Sequence, residues 1–316
     1  MEVREVDSEF WFETALSLGK ASVNGHPDFV NVISKVFKVN AVHFIVYKKG
    51  TPILGFISYK KGKSLIHPTN YIYTALWHTS SSALVVQEAF LDLICYIKTK
   101  YRFMEFSLPP EVVDIRPFIY TGFKADVKYT YINDLNNLKL SSDIKSMRNR
   151  GEHLGIEFKW NDQSEDILKQ NIDSFFKVGY SNSYINNIHL LIRGLLSKGF
   201  LKGISARLDG NLLASGFILV DKYQKNAMNL FITSNKTHYQ TGVHSSLYLK
   251  NFYFLKDEGV LYNDLFGATT KGIGNFKSNF NGELKPYYYV RYNFLRWEVV
   301  RLWNLIKPTL FKLLNK

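Results

Sequence analysis

The order of strand-like and helix-like stretches constrains this chain more than any other feature, because it occurs twice. In the N-terminal half, "VHFIVY" (42–47) and "ILGFISY" (53–59) are apolar, β-branched and aromatic runs on either side of the turn "KKGTP". "NYIYTAL" (70–76) reads as a third strand. Val86, Phe90, Leu93, Ile94 and Ile97 then recur at helical spacing behind Ser80, Ser81 and Ser82. "RFMEFSL", the short helix "IRPFIYTGF" and the strand "KYTYI" close the unit. In the C-terminal half, "LKGISARL" (201–208) and "LLASGFILV" flank Asp209-Gly210, a hairpin signal, and "AMNLFIT" (227–233) follows. A helix is predicted from about 242 to 258, with Gly259 as its stop, then "VLYNDLF", the short helix "GIGNFKSNF" and "KPYYYVRY". The order is β-β-β-α-β-α-β both times. Each half also has two helix candidates ahead of its first strand: "SEFWFETALSL" and "PDFVNVISKVF", then "ILKQNIDSFFKVGY" and "NNIHLLIRGLLSKG".

A repeat of this length predicts two similar domains rather than a solenoid. The fold class expected is α/β (α+β), with two mixed, twisted sheets flanked by helices. The polar, basic stretch 134–155 separates them, which gives domains at 1–134 and 156–292, a linker helix at 135–155, and a basic amphipathic helix at 293–316. With 46% hydrophobic residues in a chain of 316, there is enough apolar material for two cores.

Charge narrows the partners. Forty Lys and Arg against 27 acids leave +13, which attracts phosphates of any kind: nucleic acid, nucleotide cofactors or anionic lipid. The C-terminal stretch mixes Arg291, Arg296, Arg301, Lys307, Lys312 and Lys316 with Trp297, Trp303, Leu310 and Phe311. Such a helix can lie on a membrane or pack on the core with its charges in water; Pro308 interrupts it. One cysteine, Cys95, excludes an intrachain disulfide, and its apolar setting predicts a buried thiol. The acidic N-terminus lacks the apolar core of a signal peptide, and no apolar run approaches a membrane span. A cytoplasmic protein, peripheral at the inner membrane face at most, is the expectation.

The Gly-dotted run "GATTKGIG" (267–274) invites a phosphate-loop reading and fails it. Gly267 and Gly272 have Walker spacing, but Ile273 and Gly274 stand where Lys and Ser/Thr must be. A dinucleotide fingerprint needs a glycine where Lys277 stands, and it belongs after the first strand of a unit. There is no His-Glu-x-x-His, no Gly-x-Ser-x-Gly, and the eight His are scattered, so no metal site is expected.

The doubled element order resembles the tandem GNAT architecture, and "FKSNFNGE" (276–283) narrows the match. Phe276, Lys277, Phe280, Gly282 and Glu283 resemble the Phe-Lys-x-x-Phe-x-Gly-Glu-like signature of the Fem peptidyltransferases and their acyltransferase relatives. "DIRPFIYTGF" (114–123) resembles the equivalent element of the first domain. The coiled-coil arm of many Fem proteins is missing between Gly155 and Leu201. The resemblance implies an N-acyltransferase moving an acyl group from acyl-CoA, as co-substrate, to an amine of a sugar or lipid-linked envelope precursor. A Fem-like enzyme using aminoacyl-tRNA is the alternative, and a non-catalytic basic binding protein a second one.

The resemblance also implies where to look for the site. The donor would lie against the third strand, at Phe231, Ile232 and Thr233, with its pyrophosphate on the next helix start, at Gln240, Thr241, Gly242, Val243 and His244. This sequence has Gln-x-Gly-x-His there, a degenerate form of the family pattern. Asp264 is the leading candidate base, or else a cap for the loop at Thr269 or Thr270. Tyr239 or Tyr248 could protonate a leaving thiolate. Lys277, aimed by a buried Phe276, would hold an anionic acceptor or offset an oxyanion, unless it is a solvated lysine. Arg116 would bind an acidic acceptor or pair with Asp114.

Overall fold

The computed structural model describes residues 1–69, 71–235, 241–295 and 299. They divide into two compact units, each assembled from separate stretches: 1–15, 39–127 and 287 onward form the first, and 16–38 with 128–286 the second.

The first unit opens with β1 (Glu2–Val6), α1 (Ser8–Ser17), β2 (Asn40–Lys48) and β3 (Thr51–Lys61). The expected third strand over 70–76 is not formed at 71–75. Two short strands take its place, β4 (Ser64–Ile66) and β5 (Leu76–His78). Pro68 lies in the connection, and Tyr71 and Tyr73 are buried in ring contacts with Tyr59 and Tyr287, at 5.3 and 5.2 Å. A proline and bulky rings anchored individually serve packing without a ladder. Then come α3 (Ala83–Lys100), β6 (Phe103–Leu108), α4 (Arg116–Tyr120) and β7 (Lys124–Asp134). The apolar face of α3, with Phe90, Leu93, Ile94 and Ile97 buried, lies on Phe44, Phe56, Met104 and Phe106 of the sheet. Cys95 falls on the opposite side of that helix and is exposed, so the expected buried thiol is corrected: 100° per residue carries position 95 away from the 90/93/94/97 stripe.

The second unit contains α2 (Pro27–Phe37), α5 (Ser142–His153), β8 (Glu157–Trp160), α6 (Glu165–Val178), α7 (Asn182–Ser197), β9 (Leu201–Leu208), β10 (Asn211–Asp221), β11 (Asn226–Ser234), α8 (Val243–Asp257), β12 (Tyr262–Asp264) and α9 (Lys271–Ser278), with β13 (Glu283–Asn293) at its end. β1 and β8, which the sequence pattern did not single out, are edge strands on β2 and β9. They are short and polar, so they carry little hydrophobic signal.

In the first unit the strands run β1-β2-β3-β4-β6-β13, with β5 also on β3; in the second they run β7-β12-β11-β10-β9-β8. Each sequence repeat therefore gives its last strand away. β7 completes the second sheet by pairing Tyr262–Asp264 with Asp134–Ile132, and β13 completes the first, Tyr288 to Asn293 against Leu108 to Phe103. Val290 and Tyr292 are buried in the core of the first unit. The basic C-terminal stretch lies almost wholly outside the described residues, and no described helix is long and apolar enough to cross a membrane.

Candidate active site

In the second unit, β11 and β12 are parallel and pair over three positions only, Asn226, Ala227 and Met228 with Tyr262, Asn263 and Asp264. Beyond that point the strands part. β11 runs on to Ser234 along β10, and the chain after Asp264 stays with β7: Leu265 N–H donates to Tyr131 O at 2.8 Å and Ala268 N–H to Tyr129 O at 2.8 Å. At the parting, β11 has a bulge. Ile218 of β10 faces Asn229 and Phe217 faces Phe231, so Leu230 is the extra residue. The bulge inverts the alternation. Ala227 packs in the core beneath α8, whereas past the bulge Ile232 takes that side and Phe231 turns to Phe175 of α6, ring to ring at 5.8 Å. Phe231, Ile232 and Thr233 thus lie on the diverging stretch of β11.

The other wall is the corner after β12. Phe266 and Gly267 are both left-handed, with φ of 47° and 67°, and a phenylalanine there is strained. Lys277 holds the corner. Its Nζ donates to the carbonyl oxygens of Leu265 at 2.7 Å, Phe266, and Gly267 at 3.2 Å. Three donors meeting three oxygens saturate an ammonium. Lys277 is 7% exposed while Phe276 is half-buried, the reverse of the expectation. Burial pulls Lys277 down to about 8, with Asp264's charge partly opposing. Asp264 is buried too. Its Oδ1 accepts from Thr130 Oγ1 and from Phe266 N–H at 2.7 Å, so the loop it caps is the 264–266 turn and not Thr269 or Thr270.

The signature residues around Lys277 have packing reasons. Phe276 and Phe280, four apart, meet His244, Tyr248 and Phe252 of α8, also four apart: His244–Phe276 is 4.9 Å, Tyr248–Phe280 5.1 Å and Phe252–Phe280 5.6 Å between ring centroids. Burial holds Tyr248 protonated and pulls His244 down to about 4, with Lys277's charge adding to the effect, so His244 is neutral at pH 7. Gly282 passes so close to β7 that a Cβ would lie 2.8 Å from Asn133 Oδ1. Glu283 is exposed and pairs with Lys285.

The start of α8 differs from its expected role. Thr241 Oγ1 accepts from Val243 N–H at 3.3 Å, Val243 is fully buried, and the His244 ring is in the aromatic cluster. Gly242 is left-handed, φ 77°, and a Cβ there would stand 2.5 Å from the Met147 carbonyl oxygen of α5. The backbone of α5 is therefore packed directly against the Cα of Gly242. Gln240 and Tyr239 lie outside the described residues. Arg116, in the first unit, is exposed and grips Asp114 bidentately at 2.9 Å. No group of metal-ligating side chains occurs among the described residues.

So Asp264, Lys277, His244 and Tyr248 gather around one corner, while Arg116 belongs to the other unit. Three buried asparagines, Asn229, Asn251 and Asn263, and Thr130 were not singled out from sequence. Their one visible signal is an amide inside an apolar run, as in "AMNLFIT" and "LYNDLF".

No protein-family profile matches this sequence, and no curated protein is similar to it in sequence. Solved structures are similar to it in fold. The structure of FemX covers 97% of this chain and 100% of its own, with a TM-score of 0.67 at 11% identity. The C-terminal domain of a putative lysylphosphatidylglycerol synthetase from Agrobacterium fabrum covers 95% and 97%, with 0.56 at 15%. A tandem GNAT protein from the clavulanic acid biosynthesis pathway covers 92% and 98%, with 0.54 at 9%. The chain has the tandem GNAT, Fem-like fold that its element order and signature implied.

Proposed function

We propose that this chain is an acyltransferase that takes an aminoacyl group from the 3′ end of an aminoacyl-tRNA and places it on an amine of a cell-envelope precursor. The observation that carries the choice of donor is the Met147 carbonyl packed against Gly242. A coenzyme A pyrophosphate would need the amide-lined start of α8, and a carbonyl oxygen of α5 packed beside Gly242 is an unfavourable neighbour for an anion there. The fold is shared by FemX and by a domain of a putative lysylphosphatidylglycerol synthetase, whose name denotes an aminoacyl group on an envelope lipid. A net charge of +13 suits a polyanionic donor better than a small one.

In this reading the acyl carbonyl enters where β11 and β12 part, beside the bulge at Leu230. The acceptor amine attacks in its neutral form, the carbon–oxygen bond to the ribose breaks, and the amine's proton ends on the departing ribose oxygen. Lys277 and Asp264 position the strained corner that forms one wall. Filter binding of labelled aminoacyl-tRNA, beside calorimetry with acetyl-CoA, tests the donor. The expected result is tRNA retention that falls by roughly 10³-fold or more between 50 and 200 mM salt, if about six or more phosphates are neutralised, and no heat with acetyl-CoA. Acetyl-CoA binding without tRNA retention would overturn the reading in favour of an acyl-CoA N-acyltransferase.

A further inference from the structure

A row of asparagines crosses the second unit's sheet at the root of the β11–β12 opening. Asn133 and Asn263 are directly opposed on β7 and β12, and Asn229 stands two residues beyond Ala227, the partner of Asn263 on β11. Asn251 reaches the row from α8. All four are more than nine-tenths buried. Asn251 and Asn263 both donate to Asn229 Oδ1, at 3.0 and 3.1 Å, and Asn133 donates to Phe280 O at 2.8 Å. That leaves the amide NH2 of Asn229 and the Oδ1 atoms of Asn133, Asn251 and Asn263 with no partner among the described residues; Asn133 Oδ1 faces the close-packed Gly282, so the other three are the groups free to take a ligand.

Buried amide groups left unpaired are costly, and an apolar core of the same shape would be as easily packed. Their position gives the reason. They lie where β11 sheds its neighbour and carries its bulge, at the inner end of the only stretch of that strand, 229–234, that runs past its pairing with β12. We infer that Asn229, Asn251 and Asn263 form the acyl-group subsite of the donor, built for an acyl group that carries an amine beside its carbonyl. The hydrogens of that amine go to Oδ1 of Asn251 and Asn263, and its lone pair takes an N–H of Asn229. An acyl group ending in a plain methyl would leave all three buried groups unpaired, and sites of that kind reject the analogue lacking the polar group far more strongly than apolar pockets reject a size change. The identity of the carrier rests on the donor reading above; the subsite does not.

The test uses amide-linked probes that cannot react: alanyl and propionyl groups on 3′-amino-3′-deoxyadenosine, and the same two groups on the amide analogue of coenzyme A. Calorimetry with the wild-type chain should show the alanyl form binding roughly 100-fold or more tighter than the propionyl form on the carrier that binds. The double variant Asn251→Leu, Asn263→Leu should lose that ratio by weakening the alanyl probe alone. If this variant does not fold, the wild-type ratio decides, together with Asn251→Ala. Alanyl preference seen only on the coenzyme A carrier would sink the tRNA donor and keep the subsite. A wild-type ratio within about threefold, against the much larger discrimination a hydrogen-bonding site provides, or binding of none of the four probes, would overturn it.

Discussion

Lys277 shows how a single residue can be legible as important and illegible as to why. The sequence placed it in a signature on a short helix, next to a phenylalanine expected to be buried. The structure buries the lysine instead and spends all three of its donors on the carbonyls of Leu265, Phe266 and Gly267. Lys277→Met should therefore destabilise the fold by about 2–4 kcal/mol at pH 7, since it strands buried carbonyls. Lys285→Met, in an exposed pair with Glu283, should change stability by less than about 0.5 kcal/mol. The pH dependence has a definite sign. Lys277 titrates near 8 in the folded chain against 10.5 ordinarily. Between those values the unfolded state binds the extra proton, so wild-type stability from this group rises with pH, and the methionine variant lacks that rise. Urea midpoints at pH 7 and pH 9.5 should show the gap between the two proteins widening. A gap that narrows would mean that the folded state favours the ammonium.

At the scale of elements, α8 meets α9 and the turn after it through two aromatic rows, His244, Tyr248 and Phe252 against Phe276 and Phe280, whose four-residue spacing is open in the sequence. The meeting of α5 with α8 is not encoded openly. Gly242 reads from sequence as a phosphate glycine; its left-handed φ and the Met147 carbonyl make it a packing glycine. Gly242→Ala should cost about 1–3 kcal/mol, from the positive φ and the backbone clash. Gly272→Ala, on α9 with nothing near its Cβ, should be neutral or stabilising by up to about 1 kcal/mol. Denaturation midpoints compare the two; equal effects would mean that α5 yields freely and that the start of α8 is open to a ligand after all.

Over the whole molecule, the repeat is in the sequence and the exchange of last strands is not. β6 finds its neighbour β13 from the far end of the chain, where Val290 and Tyr292 enter the first core. Residues 1–134 expressed alone should consequently fail to fold, leaving the β6 edge and an incomplete core. Co-expression of 1–134 with 135–316 should recover soluble material containing both, as gel filtration with mass spectrometry would show. A soluble, cooperatively melting 1–134 would mean that β13 is dispensable.

The sequence by itself determined the element order, the helix faces and the neighbourhood of the site, because hydrophobic period, turn residues and the FKSNFNGE signature are local properties. It missed β1 and β8, whose edge positions ask for little apolar surface, and it extended a strand through 71–75, where anchored tyrosines win. Only the tertiary structure decided which strand completes which sheet, that Lys277 turns inward, that α5 closes on Gly242, and that Asn229, Asn251 and Asn263 meet. Each of these is a contact between segments from 10 to 190 residues apart, and what sets such a contact is the shape and hydrogen-bonding need of the partner surface, which no local pattern carries.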